Sequence, residues 1–116
     1  MKPRIFLASL AIVCFAAPGF AHAFLERAEP GAGATLRAAP RRVALSFSEK
    51  LEPIFSGVAV TDSSGRSVEA GAVVIGGHLM IAQLRPLPSG SYRVVWHAVS
   101  VDTHRTEGAY SFTVRP

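Results

Sequence analysis

Two runs near the end of the chain constrain its fold more than any other feature. In Tyr92-Arg93-Val94-Val95-Trp96-His97-Ala98 and in Ala109-Tyr110-Ser111-Phe112-Thr113-Val114 apolar residues recur at every second position. In an extended chain, residues two apart point the same way. Tyr92, Val94, Trp96 and Ala98 therefore share one face of a long strand, and Tyr110, Phe112 and Val114 share one face of the last strand. No segment carries a sustained helical period, so these faces must be buried against further strands.

The earlier strands can be read from turn residues and alternation. Ala23 to Glu29 opens the series, and Pro30 to Pro40 is loop-rich. Val43, Leu45 and Phe47 lie in phase. Lys50 to Phe55 contains Pro53, which cannot donate to a central ladder, and reads as a connection. Gly57 to Thr61 is a strand closed by the turn Asp62-Ser63-Ser64-Gly65. Val68 to Ile75, a Gly76-Gly77 turn and Leu79 to Leu84 give two more strands before the break at Pro86 to Gly90. The expected fold is all-β, an immunoglobulin-like sandwich or barrel of about seven strands.

The first residues do not belong to that pattern. Lys2 and Arg4 precede an apolar run from Ile5 to Ala17, and Pro18-Gly19 breaks it ahead of small residues, the order of a secretory signal peptide. The run is too short to span a bilayer, and nothing after it approaches the ~20 apolar residues that a span requires. The expected organisation is a cleaved signal peptide followed by a single exported domain outside the cytoplasm, without stable membrane insertion. Small-residue rules allow cleavage before His22 and also before Phe24, where Ala21-His22-Ala23 fits the A-x-A form. Cys14 lies inside the leader and follows Val13, where a lipoprotein signal would want a small residue. The exported domain therefore has neither thiol nor disulfide and must fold on its core alone.

Loss of Lys2 and Arg4 reduces 12 basic residues to 10 against 8 acidic ones, a net of +2. Apart from the adjacent Arg41-Arg42 the basic residues are scattered singly rather than clustered, and no nucleic-acid partner is expected.

The chemistry concentrates in Ser100-Val101-Asp102-Thr103-His104-Arg105. If this stretch keeps strand geometry, Asp102 and His104 point to the same side and Thr103 away. Alone, such a pair is commonly a turn aspartate beside an exposed histidine. His22 changes its weight, because a terminal histidine chelates through its α-amine and its ring. Amine, two imidazoles and a carboxylate form a nitrogen and oxygen set that suits tetragonal Cu(II), whereas structural zinc prefers a tetrahedron and thiolates.

Several spaced motifs resemble the CopC-type periplasmic copper-binding family. They are His22-Ala23-Phe24-Leu25, Ala28-Glu29-Pro30, Leu45-Ser46-Phe47-Ser48-Glu49, Phe55-Ser56-Gly57-Val58, Tyr92 to Trp96, Ser100 to His104 and Gly108 to Val114. The resemblance covers essentially all of 22–116. It implies a seven-stranded Greek-key β-barrel binding one Cu(II) per chain through His22, Asp102 and His104, with cleavage after Ala21. Glu49 matches a glutamate near that site, as a weak axial ligand or a residue that supports the ligands. The Cu(I) loop of some relatives would correspond to Thr61–Ala70, which contains no methionine or histidine, so a Cu(II)-only protein is expected. The family implies copper homeostasis or resistance, by buffering or by transfer to a CopD-like inner-membrane copper transporter.

Other candidates have simpler readings. Met80 is in phase with Ala82 and Leu84 as core, and His78 is a turn histidine rather than a partner in a soft copper pair. His97 lies on the face opposite Trp96, either packed inside or hydrogen-bonded near the site. Trp96 is the central core aromatic, and Arg105 and Glu107 are solvated. An enzymatic alternative is a copper oxidase or oxygenase with a histidine brace. It is disfavoured because the carboxylate of Asp102 fills the position that oxygen would take, and no enzyme activity is expected. A metal-free immunoglobulin-like module is the third possibility.

Overall fold

The alternation of the last two strands becomes the inner wall of a sandwich. The structure, a computed structural model, describes residues 23–116, so the leader, its cleavage point and His22 lie outside the described residues. Eight strands run in order: β1 Leu25–Glu29, β2 Thr35–Leu36, β3 Arg42–Phe47, β4 Gly57–Asp62, β5 Val74–Gly76, β6 Leu79–Gln83, β7 Gly90–Val99 and β8 Arg105–Val114. They form two four-stranded sheets, β1-β3-β6-β5 and β2-β8-β7-β4. The all-β sandwich is as expected, with the two-residue β2, parallel to β8, as an addition inside the loop-rich passage.

The apolar faces named above are buried, with Tyr110 alone among them half-buried. Val43, Leu45 and Phe47 from the first sheet meet Val94, Trp96, Ala98 and Phe112 from the second, with Met80 fully enclosed. Phe47 meets Trp96 edge-on at 5.2 Å between centroids, and Tyr92 stacks on Phe112 at 5.4 Å. Both separations lie in the range where aromatic pairs add attraction beyond burial. Pro53–Phe55 forms one 3₁₀ turn in the expected connection.

One expected strand is mostly absent. Val68–Ile75 reduces to β5, because residues 67–70 divide their bonds between the sheets. Val68 N donates to Val60 O at 3.0 Å, while Ala70 N donates to Gln83 O at 2.8 Å. Gly71, at φ 88°, then turns the chain. This strap fastens one end of the sandwich. The following turn falls at Gly77-His78, with Gly76 still in β5.

β7 and β8 pair over ten positions, from Gly90 opposite Val114 to Val99 opposite Arg105. That register sets Gly108 across from Trp96, whose indole lies over it: a Cβ on Gly108 would come within 2.7 Å of Trp96 Cζ2. Two positions further on, Tyr110 places its hydroxyl in the interior with no hydrogen-bond partner among the described residues.

Gly108→Ala should destabilise the domain by about 1–3 kcal/mol, the cost of an overpacked core. Urea titration followed by the fluorescence of Trp96, the single tryptophan, will show it; an unchanged midpoint would refute this account of the glycine. Burial pushes the Tyr110 hydroxyl up to about 12 from an ordinary value near 10. The unfolded chain therefore loses its proton first. The stabilisation is whole below pH 10 and fades as pH rises from 10 towards 12. Tyr110→Phe should lessen that alkaline decline and leave stability at pH 7 no lower, since it deletes an unpartnered polar group. Melting curves against pH test both points.

Candidate metal centre

The β7–β8 hairpin closes through Ser100–His104, and this is a tight turn rather than the strand geometry expected. Ser100 N donates to His104 O at 3.0 Å, and Thr103 N donates to Ser100 O at 2.7 Å. Thr103 adopts φ 73°, a left-handed conformation that a β-branched residue rarely takes. The turn still brings the two side chains together, with His104 Nδ1 3.3 Å from Asp102 Oδ2. Imidazole and carboxylate donors sit about 2.0–2.2 Å from a bound zinc ion, so two donors to one such ion are at most about 4.4 Å apart. The observed spacing satisfies that limit, and both side chains are open to solvent, His104 by 50% and Asp102 by 36%.

Asp102 is prepared to stay anionic. The Ser100 hydroxyl donates to Asp102 Oδ1, and His104 N donates to the same oxygen at 3.3 Å. Chiefly through the Ser100 hydroxyl, and despite partial desolvation, its carboxyl is held below the usual carboxylate range. Ser100 is itself buried in phase with Trp96 and Ala98. A polar residue at the inward position of a strand end was the sequence signal for this role.

The start of the domain is fastened to the same end. The Thr106 hydroxyl donates to Ala23 O at 2.7 Å, across 83 residues of chain. Phe24 N donates to Ser48 Oγ and Ser48 N to Phe24 O, both at 2.8 Å. On the other side of Glu49, Val101 N donates to Lys50 O at 3.1 Å. Glu49 is thus bracketed by one neighbour bound to the chain start and another bound to the Asp102 turn. Thr106 and Ser48 are anchors that sequence reasoning missed, for neither contact leaves a periodic trace.

The remaining histidines lie apart from this pair. His78 Nδ1 donates to Phe47 O at 3.1 Å, in keeping with a turn histidine. His97 is neither in the core nor at the turn. It lies on the outer face of β7 opposite Glu107, half-buried because Gly57 of β4 leaves room for its ring. Arg105 Nη2 and Glu107 Oε1 form an exposed ion pair at 3.3 Å. Among the described residues no group of three or more His, Cys, Asp or Glu side chains comes together. Asp102 and His104 are two donors, and the third named at the outset, His22, precedes the described residues.

Comparison with known proteins agrees with the fold. The CopC domain family model matches residues 25–115. The copper resistance protein C of Escherichia coli is 40% identical over 105 residues, covering 82% of each chain. The copper transport protein CutJ of Bacillus subtilis is 34% identical over 99 residues, which are 82% of this chain and only 18% of that relative. Among solved structures, PcoC, a methionine-rich copper resistance protein from Escherichia coli, superposes with a TM-score of 0.73 at 42% identity, covering 82% of this chain and all of that one. CopC from Methylosinus trichosporium OB3b gives 0.71 at 35% identity, covering 82% and 95%. This chain belongs to the CopC family.

Proposed function

We propose that the exported chain begins at His22 and binds one Cu(II) through the His22 amine and ring, the Asp102 carboxylate and the His104 imidazole. The observation that carries this reading is the joining of Ala23, the residue after His22, to Thr106, two residues beyond His104. A nitrogen-rich set with one carboxylate suits Cu(II). Glu49 is the supporting carboxylate. Soft donors are scarce: the described residues contain no cysteine, and their one methionine, Met80, is fully buried. The Cu(II)-only reading follows.

In this reading the protein is a periplasmic carrier or buffer for copper homeostasis and resistance, with no catalytic step, and it hands the ion to a CopD-like inner-membrane transporter. The naming of relatives as copper resistance and copper transport proteins supports it.

Asp102→Ala and His104→Ala should each weaken Cu(II) binding at least ~10-fold without lowering the melting temperature, and Glu49→Gln should weaken it less. Calorimetry of the chain from His22 measures this. Unchanged affinity in both alanine variants would dispose of the site. One residue added before His22 converts the amine to an amide. It should weaken binding and change the electron paramagnetic resonance spectrum, and identical spectra would show that the amine is no ligand. Affinity should rise with pH, because Cu(II) competes with protons for amine and imidazole nitrogens, while the Asp102 carboxyl is already held below the usual carboxylate range.

A further inference from the structure

Basic residues that are scattered in sequence are gathered by folding at the end of the sandwich away from the Ser100–His104 turn. Arg37, Arg41, Arg42, Arg85 and Arg115 are all exposed, at or beside strand ends. Leu84 N donates to Arg41 O at 2.9 Å, Arg115 N donates to Leu36 O at 2.8 Å, and Arg42 pairs across from Gln83. These bonds set Arg41, Arg42 and Arg85 in the walls of two adjoining clefts of about 570 and 530 Å³, which share Ala39, Pro40 and Arg41, and place Arg37 and Arg115 beside Leu36 of the second. Ala38, Ala39 and Pro86, all exposed in these clefts, supply apolar surface beside the guanidinium groups.

The acidic groups at this end have other partners. Glu29 pairs with Arg27 at 3.6 Å, Glu69 accepts the Val60 amide at 2.7 Å, and Asp62 accepts from Ser64 and Arg66 within its own turn. At the opposite end Glu49, Glu52, Asp102 and Glu107 outnumber Lys50 and Arg105. A small net charge thus conceals a strong asymmetry, which orients a molecule in an external field.

We propose that the arginine end is a docking surface for the headgroups of anionic phospholipids, holding the domain on a membrane surface with the Asp102–His104 turn directed away from the bilayer, a resting pose that the domain leaves to hand over its ion. Planar guanidinium groups pair with phosphate through two parallel hydrogen bonds, and all five cations here are arginine. They come from several separate strand ends around shallow clefts. Mobile headgroups can rearrange to meet such a spread, and the apolar surface beside the cations suits the boundary with the acyl chains.

The test is co-sedimentation of the 22–116 chain with vesicles of phosphatidylglycerol mixed with phosphatidylcholine, against phosphatidylcholine alone. Binding should require phosphatidylglycerol and weaken with added salt. Arg41→Gln with Arg85→Gln should reduce the partition coefficient about 30-fold, given the usual contribution of each basic residue near an anionic surface. The charge-matched pair Lys50→Gln with Arg105→Gln, at the opposite end, should retain most of the binding. An environment-sensitive fluorophore on Ala38→Cys should shift to the blue on anionic vesicles, and one on Ile54→Cys, at the other end, should not. Equal loss in the two double variants, equal binding to neutral vesicles, a shift at Ile54 alone, or tighter binding to a single-stranded oligonucleotide than to vesicles would each overturn the proposal.

Discussion

The register of β7 against β8 is the constraint on which the rest of the molecule depends. Ten paired positions set Trp96 over Gly108 and leave a short turn from Ser100 to His104. A slip of one residue would turn every apolar side chain of β8 to solvent. It would also place a side chain where the indole must lie, and so disrupt the contact through which Phe47 joins the two sheets. Core packing and the geometry of the candidate site therefore have a common origin. The hairpin that supplies most of the second sheet's inner wall is also the one that carries Asp102 and His104.

What could be read from the chain follows from how local each signal is. Alternation at 43–47, 92–98 and 110–114 marks the buried faces correctly, because period-two burial is written in neighbouring residues. Val68–Ile75 misleads for the opposite reason: its apolar content is real, but its amides pair with both sheets, and pairing partners have no local signature. β2 is invisible for the same cause, being two residues held by the far end of β8. At the site, the types and spacing of Asp102 and His104 were legible. Their means of convergence was not, because a strand and a turn with left-handed Thr103 can both bring such a pair together. Thr106 and Ser48 act through single long-range bonds that only the fold creates.

Charge shows the same division between sequence and fold. Arginines spread along a chain, singly or as the one pair Arg41-Arg42, look like ordinary solvated positions, and a net of +2 gives no reason to think otherwise. Antiparallel strands bring residues distant in sequence to a common end, so Arg41, Arg85 and Arg115 become neighbours by topology alone. The carboxylates collect near the Ser100 turn through the same arrangement. In a domain without a disulfide among its described residues, neither grouping survives loss of the sandwich.

The bond from Thr106 to Ala23 has a thermodynamic consequence. It joins the first described residue of the domain to the base of the last hairpin, so any ligand held by both exists only on the folded chain. Such a ligand raises the apparent stability by mass action, in proportion to the logarithm of its free concentration. The segment it holds leads into β1, an edge strand paired on one side only, with β3. Edge elements open at lower free energy than the global transition. A ligand held by both would therefore be released by detachment of that short first segment while the core around Phe47 and Trp96 stays closed, and local fraying rather than unfolding of the sandwich would set its residence time.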